Sequence, residues 1–259
     1  MRQIADIHCH ILPYVDDGAL RTQESDELVR MQREQGVTAV CCTPHLRKHM
    51  FETPDEEIRL RFEQLLKRQG AGSEDASEPS AGAAPSPVRF YLSREYHCDA
   101  LLLEKLEQGA ILPLGEGNFL LSEFSYRHTE AQIREFIRII LSYGFRPLIA
   151  HLERYPAIEK PAQAAALIDM GALIQMNASS VVGAEGRRQA AWCKKLLKAG
   201  LVHVIASDAH DPSDRPPELA ACAALLERRF GNDTADRLLR INPLQILNPT
   251  DGGPGHAEG

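Results

Sequence analysis

The stretch IADIHCH, residues 4–10, joins a short apolar strand pattern to two histidines. Side chains in a strand alternate between its two faces, so His8 and His10 are predicted to share one face. Six further apolar or β-branched runs recur along the chain: VTAVCC (37–42), VRFYLS (88–93), NFLLSEF (118–124), RPLIAH (146–151), ALIQMN (172–177) and VHVIAS (202–207). Together these runs predict seven strands.

Amphipathic segments lie between the strand candidates. Apolar residues recur at three- and four-residue spacing, as helices require, in 22–35, 54–68, 129–143, 161–170 and 186–199. Gly36 and Gly144 end two of these segments, where a left-handed glycine terminates a helix at little cost. Sustained alternation of strand and helix predicts parallel strands joined by crossover helices, in either a closed barrel or an open doubly wound sheet. A length of 259 residues suits one such domain.

Two segments depart from the alternation. Residues 70–87, GAGSEDASEPSAGAAPSP, are small and rich in proline and contain no large apolar side chain, which predicts a flexible surface insertion. The stretch 248–259, NPTDGGPGHAEG, has the same character and is predicted to be a disordered tail, so His256 is not counted as a ligand. The domain is therefore predicted to span residues 1–247.

Composition excludes several classes of protein. The content of 44% hydrophobic and 25% charged residues is that of a globular protein, and no apolar run approaches the roughly 20 residues of a membrane span. The N-terminus shows no signal-peptide pattern, so a cytoplasmic protein is expected. The net charge of −7, with both signs interspersed, gives no basic stripe for nucleic acid. The six cysteines form no CxxC pair, which predicts reduced and mostly buried thiols.

Histidine, aspartate or glutamate residues, whose side chains can bind metals, lie at or just after the ends of six of the seven predicted strands. Because the carboxyl ends of strands converge on one face of an α/β barrel, such residues are predicted to meet there. A lone histidine or acid near a strand end is usually a capping or hydrogen-bonding residue, and Asp16-Asp17-Gly18 is also typical of a simple turn. The whole set nevertheless favours a metal site: His8, His10, Asp17, His45, Glu95, Glu123, His151, Asp208 and His210.

The ligand types indicate the metal and the chemistry. Imidazoles mixed with carboxylates, without clustered thiolates, suit manganese, iron, cobalt or zinc. Nine candidates exceed the need of one ion, so two or three ions sharing carboxylates are expected, as in sites that hydrolyse phosphate esters. Arg154 and Arg215 follow His151 and His210 closely. Guanidinium groups bind phosphate bidentately, which favours a phosphorylated substrate, although each arginine could equally form an ordinary surface ion pair.

Several ordered motifs resemble those of one bacterial group, the manganese-dependent protein tyrosine phosphatases of the polymerase and histidinol phosphatase (PHP) superfamily. The motifs are DIHCHILPYVDDGA (6–19), TPH (43–45), LLSEFS (120–125), AHLERY (150–155), QMNASSVVG (175–183) and VIASDAH (204–210). Two features depart from the family pattern. Leu152 stands where the family usually has proline, which predicts a looser Arg154, and residues 70–87 lengthen the connection before Glu95.

The resemblance implies a distorted (β/α)7 barrel of one domain that holds two or three divalent ions, with manganese foremost. It assigns the nine residues as metal ligands and Arg154 and Arg215 as the phosphate-binding pair. It further implies that a metal-activated hydroxide attacks the phosphorus of phosphotyrosine directly, without a phosphocysteine. The expected substrate is an autophosphorylating tyrosine kinase that controls capsular or extracellular polysaccharide synthesis or export. His97, His128 and His203 are interpreted as structural or surface residues.

Three alternatives stay open at this stage. Cys41 and Arg47 have the Cys-x5-Arg spacing of cysteine-dependent phosphatases, but the intervening loop contains Pro44 and no glycine, and Cys222 and Arg228 repeat the spacing by chance. A PHP-type enzyme could instead act on histidinol phosphate or a small phosphodiester, since metal ligands do not fix the leaving group. The barrel could also bind metal without catalysis.

Overall fold

The seven predicted runs form a ring of parallel strands in the computed structural model, which describes residues 3–70 and 88–249. Two runs are interrupted and continue as separate short strands, β3 and β5, a break that the sequence pattern did not predict. The strands of the described chain are β1 (Ile4–Cys9), β2 (Val37–Cys42), β3 (His45–Leu46), β4 (Arg89–Leu92), β5 (Glu95–His97), β6 (Phe119–Glu123), β7 (Arg146–Ile149), β8 (Leu173–Asn177) and β9 (Val204–Ala206).

The ring consists of two arcs that are joined by backbone hydrogen bonds. One arc has the order β1-β2-β4 and the other β3-β5-β6-β7-β8-β9, and every pairing is parallel. The ring closes between its first and last strands, where His10 N donates to Ala209 O at 2.8 Å and Asp208 N donates to His8 O at 2.8 Å. The predicted distorted seven-stranded barrel is therefore confirmed.

Helices cover the outside of the ring. The five amphipathic segments form helices as predicted, and Gly36 and Gly144 have the left-handed φ angles of 85° and 83° that were expected after two of them. The helices are α1 (Thr22–Glu34), α2 (Asp55–Gln69), α3 (Ala100–Glu107), α4 (Glu130–Ser142), α5 (Pro161–Asp169), α6 (Ala178–Val182), α7 (Arg187–Lys198), α8 (Leu219–Phe230), α9 (Asn232–Asp236) and α10 (Asn242–Leu247). None of them combines the length and apolar content needed to cross a bilayer.

Alternation along the strands divides the core into two parts. One buried cluster fills the ring with residues such as Ile7, Cys41 and Leu121, and it is closed at one end by Ile246 and Leu247 of α10. A larger cluster lies between the outer faces of the strands and the helices. Apolar side chains therefore fill the ring and the end that α10 closes, which leaves the carboxyl ends of the strands for the candidate metal ligands.

The predicted insertion and tail fall mainly beyond the described residues. Gly70 ends α2 with a left-handed φ of 67°, and residues 71–87 lie outside the described part of the chain. Asn248, the first residue of the predicted tail, donates from its side-chain amide to Tyr91 Oη at 3.0 Å. Residues 250–259, including His256, lie outside it as well.

We expect Gly115→Ala to lower the free energy of unfolding by about 2–4 kcal/mol. Gly115 has a φ of 61°, and an added Cβ would lie 2.0 Å from the carbonyl oxygen of Leu247, the residue that closes the barrel. The same oxygen accepts a hydrogen bond from Glu116 N at 2.9 Å. Urea denaturation followed by circular dichroism measures the change.

Gly109→Ala is the matched control for this substitution. Gly109 has a φ of 63° but no atom within 4 Å of an added Cβ, so only the left-handed backbone should cost stability, about 1–2 kcal/mol. Equal losses in the two variants would show that the approach of Gly115 to Leu247 contributes nothing to stability.

Candidate metal centre

All nine predicted ligands lie at the carboxyl ends of the strands or in the loops that follow them. Eight of them form three clusters, in each of which the candidate ligand atoms lie within 4.8 Å of one another. The clusters are His10, Asp17, His45 and His210; His8, His10, Glu95 and Asp208; and His45, Glu95 and Glu123. Each pair of clusters shares one residue, so the three clusters are adjacent.

The ninth residue, His151, joins the same centre through Glu95. Its Nε2 lies 2.9 Å from Glu95 Oε1. The carboxylate of Glu95 therefore touches His151 with one oxygen while its other oxygen faces the clusters. The structure thus brings every predicted ligand into one continuous centre, although His8 and His210 are far apart in the sequence.

A β-bulge in β1 explains why His8 reaches this centre. Asp6 pairs with Val40 and Cys9 pairs with Cys42, so β1 has one more residue than β2 in this interval. Ile7 lies in the barrel interior, and strict alternation would turn the next side chain outward. The extra residue rotates the strand locally, as bulges near active sites do, and His8 contacts Glu95 and Asp208.

Several buried polar atoms of the centre lack hydrogen bonds, which tests whether the residues fit a metal. Glu95 Oε2 lies 3.2 Å from Nε2 of His8 and of His10 and 3.0 Å from Nδ1 of His45. It forms no hydrogen bond despite these distances, and neither does His45 Nδ1. An unsatisfied buried polar group costs about 1–3 kcal/mol. A carboxylate oxygen and imidazole nitrogens that converge on one point fit a divalent cation, so the donor set is suited to metal binding.

Partners outside the centre orient the imidazole rings. When Nδ1 of a histidine is held by an acceptor, its Nε2 presents a lone pair to a metal. Of the five candidate histidine ligands, all except His45 have Nδ1 facing such a partner: Asp16 at 2.7 Å from His10, Gln175 at 3.2 Å from His8, Tyr155 Oη at 3.2 Å from His151, and the carbonyl of Asp208 at 2.9 Å from His210.

Asp16 is a residue of the centre that the sequence did not single out. It is buried, and its carboxylate accepts hydrogen bonds from His45 N at 2.9 Å and Gly18 N at 3.0 Å in addition to its contact with His10. Burial disfavours its charged form, but His10 and His45 outweigh burial and hold the pKa of Asp16 well below its usual range. Asp17, in contrast, is 49% exposed and lies 3.4 Å from His45 Nε2.

Three further residues of the centre were missed or assigned elsewhere. Asn177 Nδ2 donates to Asp208 Oδ2 at 2.7 Å, and Gln175 Oε1 accepts from His151 N at 2.6 Å. His97, interpreted from the sequence as structural or surface, is buried and has its Nδ1 2.9 Å from Glu123 Oε2. The spacing of Glu95 and His97, two residues apart like His8 and His10, is the signal that could have identified it.

Arg154 and Arg215 converge on one oxygen of Asp208. Arg154 Nη1 lies 2.9 Å and Arg215 Nη2 3.0 Å from Asp208 Oδ2. Glu185 holds the other side of the Arg154 guanidinium, at 2.7 Å from Nη2 and 3.2 Å from Nε. Arg154 is therefore fixed by two carboxylates in spite of Leu152. The two arginines line a cleft of about 290 Å³ beside the centre, together with Ser179 and Asp214.

Backbone strain and close packing also occur at this centre. Asp208 and His151 have left-handed φ angles of 52° and 32°, a conformation that costs about 1–3 kcal/mol and is found mainly at functional sites. A Cβ on Gly18 would lie 2.2 Å from the carbonyl oxygen of His10. The loop after β1 is therefore closely fitted to the ligand that two of the clusters share.

The cysteines do not provide a nucleophile. All six are buried and unpaired, as the sequence predicted. Burial raises the pKa of the Cys41 and Cys42 thiols well above the usual value. A cysteine mechanism needs a thiolate near neutral pH, so the structure disfavours the Cys41 to Arg47 alternative.

The parallel barrel and the three His and carboxylate clusters at its carboxyl ends define a metal-dependent hydrolase of the α/β-barrel class. The family model described as capsular polysaccharide synthesis, CpsB/CapC, matches residues 4–248. The chain belongs to the CpsB/CapC family, which confirms the resemblance seen in the sequence.

Named relatives support the same assignment. The tyrosine-protein phosphatase CpsB of Streptococcus pneumoniae is 34% identical over 93% of this chain and 97% of its own length. The tyrosine-protein phosphatase YwqE of Bacillus subtilis is 29% identical over 95% of this chain and 92% of its own length.

Solved structures agree on the fold. One structure of the pair YwqE from Bacillus subtilis and CpsB from Streptococcus pneumoniae, described as unique metal-dependent tyrosine phosphatases, matches with a TM-score of 0.82 at 29% identity. The match covers 94% of both chains. A phosphotriesterase homology protein from Escherichia coli matches with a TM-score of 0.58 over 95% of this chain and 98% of its own, but at 13% identity that likeness shows the fold alone.

We expect Asp16→Asn to weaken manganese binding by about 10- to 100-fold, because the substitution removes the carboxylate that orients His10. Isothermal titration of the metal-stripped protein with manganese measures the affinity. Asp26→Asn is the control, since Asp26 lies on α1 and pairs with Arg68 at 3.0 Å, outside the centre. Unchanged manganese affinity in Asp16→Asn would contradict a role for Asp16 in positioning the ligand.

Proposed function

We propose that this chain is a metal-dependent protein tyrosine phosphatase that acts on an autophosphorylating tyrosine kinase of capsular or extracellular polysaccharide synthesis. The observation that carries the proposal is the pair of arginines on Asp208, at the edge of three clusters that share His10, His45 and Glu95. Membership of the CpsB/CapC family and the activity named for its relatives supply the substrate class.

The nine predicted residues are proposed as ligands of two or three divalent ions: His8, His10, Asp17, His45, Glu95, Glu123, His151, Asp208 and His210. Three clusters that share residues support more than one ion. Manganese is the expected metal, although iron, cobalt and zinc also bind imidazole and carboxylate ligands. Bound divalent ions supply Lewis acidity, which makes water nucleophilic at neutral pH and offsets charge on phosphoryl oxygens.

Arg154 and Arg215 are proposed to bind the phosphoryl group and to orient it toward the centre. Both guanidinium groups keep N–H donors beyond those that contact Asp208, and both line the cleft beside it. Their planar donor arrays match phosphate oxygens bidentately. Glu185 occupies two donors of Arg154, so a phosphate dianion entering the cleft competes with that carboxylate.

The site also suits an aryl leaving group. Tyrosine has a phenolic pKa of about 10, so its oxygen leaves as a weaker base than a serine alkoxide and depends less on a general acid. Direct attack by water requires no protein nucleophile, which agrees with the buried, unpaired cysteines. We place the reaction in the cytoplasm, where unpaired thiols such as these stay reduced.

We expect chelator-stripped protein to be inactive on a tyrosine-phosphorylated peptide and to regain activity with added manganese. His10→Ala and Asp208→Ala should stay inactive after manganese is restored. His10 belongs to two of the three clusters, and Asp208 contacts both Arg154 and Arg215. Phosphate release measures the rates on this peptide, on a phosphoserine peptide and on histidinol phosphate.

The substrate panel separates the proposed function from its alternatives. Manganese-dependent release confined to histidinol phosphate would keep the centre and overturn the substrate. Activity that persists without metal would overturn the mechanism, and binding of manganese without hydrolysis of any substrate would indicate a non-catalytic module.

We also expect Cys41→Ala to keep manganese-dependent phosphatase activity. Cys41 lies in the barrel interior rather than at the centre, so its removal should cost stability through a small cavity but not the reaction. Activity and thermal unfolding of the same preparation distinguish the two effects. Loss of activity in a variant that remains folded would restore the cysteine mechanism.

A further inference from the structure

A second groove, larger than the cleft beside Asp208, also has Arg154 in its wall. It has a volume of about 560 Å³ and lies between residues 153–159, which follow β7, and the first turns of α7. Apolar groups of Tyr155, Ile158, Ala191 and Trp192 form part of its wall. Arg154 lines both this groove and the cleft that contains Arg215 and Asp208. The groove therefore adjoins the proposed phosphate site.

The helix that forms one wall has an unusual charge for this chain. The whole protein has a net charge of −7, yet α7, RRQAAWCKKLLK, contains five basic residues and no acidic residue. Arg188, Trp192 and Lys195 recur at the spacing of one helix face and all three line the groove. A local positive surface on an acidic protein indicates a negatively charged partner.

The basic side chains of this face are available to a ligand. The Arg188 side chain is 97% exposed, and its nearest carboxylate, that of Glu159, lies 3.9 Å away. The Lys195 side chain forms no ion pair with any residue in 3–70 or 88–249. Exposed pairs such as Arg188 with Glu159 contribute little, so an acidic ligand could replace this contact without loss.

We propose that this groove binds the polypeptide that flanks the phosphotyrosine and that it selects acidic side chains through Arg188 and Lys195. The inference rests on the proposed tyrosine phosphatase function and names the substrate class of that site. Apolar walls beside basic groups suit a peptide, whose backbone and side chains present both kinds of surface. A small phosphate ester bound at Arg154 and Arg215 would leave the groove unused.

Kinetics with paired substrates test the selection. The variant Arg188→Glu/Lys195→Glu is compared with the wild type on a phosphotyrosine peptide with acidic neighbours, on the same peptide with glutamine neighbours, and on p-nitrophenyl phosphate. We expect kcat/KM on the acidic peptide to fall by about three- to tenfold, mainly through an increase in KM. The reason is that two basic side chains that would pair with acidic neighbours become acidic. Activity on p-nitrophenyl phosphate should not change.

Arg187→Glu/Lys198→Glu is the matched control. It makes the same change in net charge on the same helix, at two residues that do not line the groove. A similar loss of kcat/KM on the acidic peptide in this control would show that the effect comes from net charge alone. That result would contradict peptide binding in the groove. Equal losses of Arg188→Glu/Lys195→Glu on the acidic and glutamine peptides would overturn the selection of acidic neighbours.

Binding gives a readout that does not require turnover. Trp192 is the only tryptophan of the chain, so intrinsic fluorescence reports on this groove directly. A non-hydrolysable phosphonate analogue of the acidic peptide should shift the emission, and inorganic phosphate should not. If the emission shifts with the analogue but the protein hydrolyses no phosphotyrosine, the proposed function is refuted, whereas peptide binding in the groove is not. A shift produced by anionic phospholipid vesicles and not by the peptide would refute the peptide as its occupant.

Discussion

Glu95 Oε2 lies within 3.2 Å of nitrogens on three imidazole rings, at a position from which solvent is excluded. Burial alone would favour the neutral acid, but His8 and His45 hold the pKa of Glu95 well below its usual range. A buried charge is tolerated only when opposite charges or metal ions compensate it. The barrel must therefore place all the compensating groups together, and the rest of the architecture follows from that requirement.

The scaffold meets this requirement with local irregularities rather than with regular strands. A bulge turns His8 inward, left-handed backbones at His151 and Asp208 aim two more side chains, and Asp16 fixes the ring of His10. Each device costs some stability, which the apolar barrel interior and the outer layer under the helices offset. Arg154 and Arg215 then share an oxygen of Asp208, which connects the proposed phosphate-binding arginines directly to the centre.

Most of the fold and the set of centre residues could be predicted from the sequence, because strand runs that end in histidines and acids leave a periodic signal. The breaks before β3 and β5 could not, since they arise from pairing between distant strands. Asp16 and Asp17 are identical in type, and only the packed loop decides which one is buried. Gln175 and Asn177 resemble ordinary polar strand residues until Asp208 and His151 are placed beside them.

The groove could not be predicted from the sequence, for a related reason. The basic residues of α7 are typical of a solvated helix face, and no pattern within the helix reveals that residues 153–159 pack opposite it. Charge and periodicity are local properties, whereas a cavity depends on two segments that meet only in the folded protein. The same limit applies to Glu185, whose contact with Arg154 spans 31 residues.

The closure of the ring between β1 and β9 sets an order of events during synthesis. His8 and His10 leave the ribosome about 200 residues before Asp208 and His210, the partners that complete two of the three clusters. Contacts of such long sequence separation form late and slow folding. Until the last strand docks, the emerging chain offers histidines and carboxylates that lack their geometry. These two clusters therefore cannot reach their full set of candidate ligands before the barrel is complete.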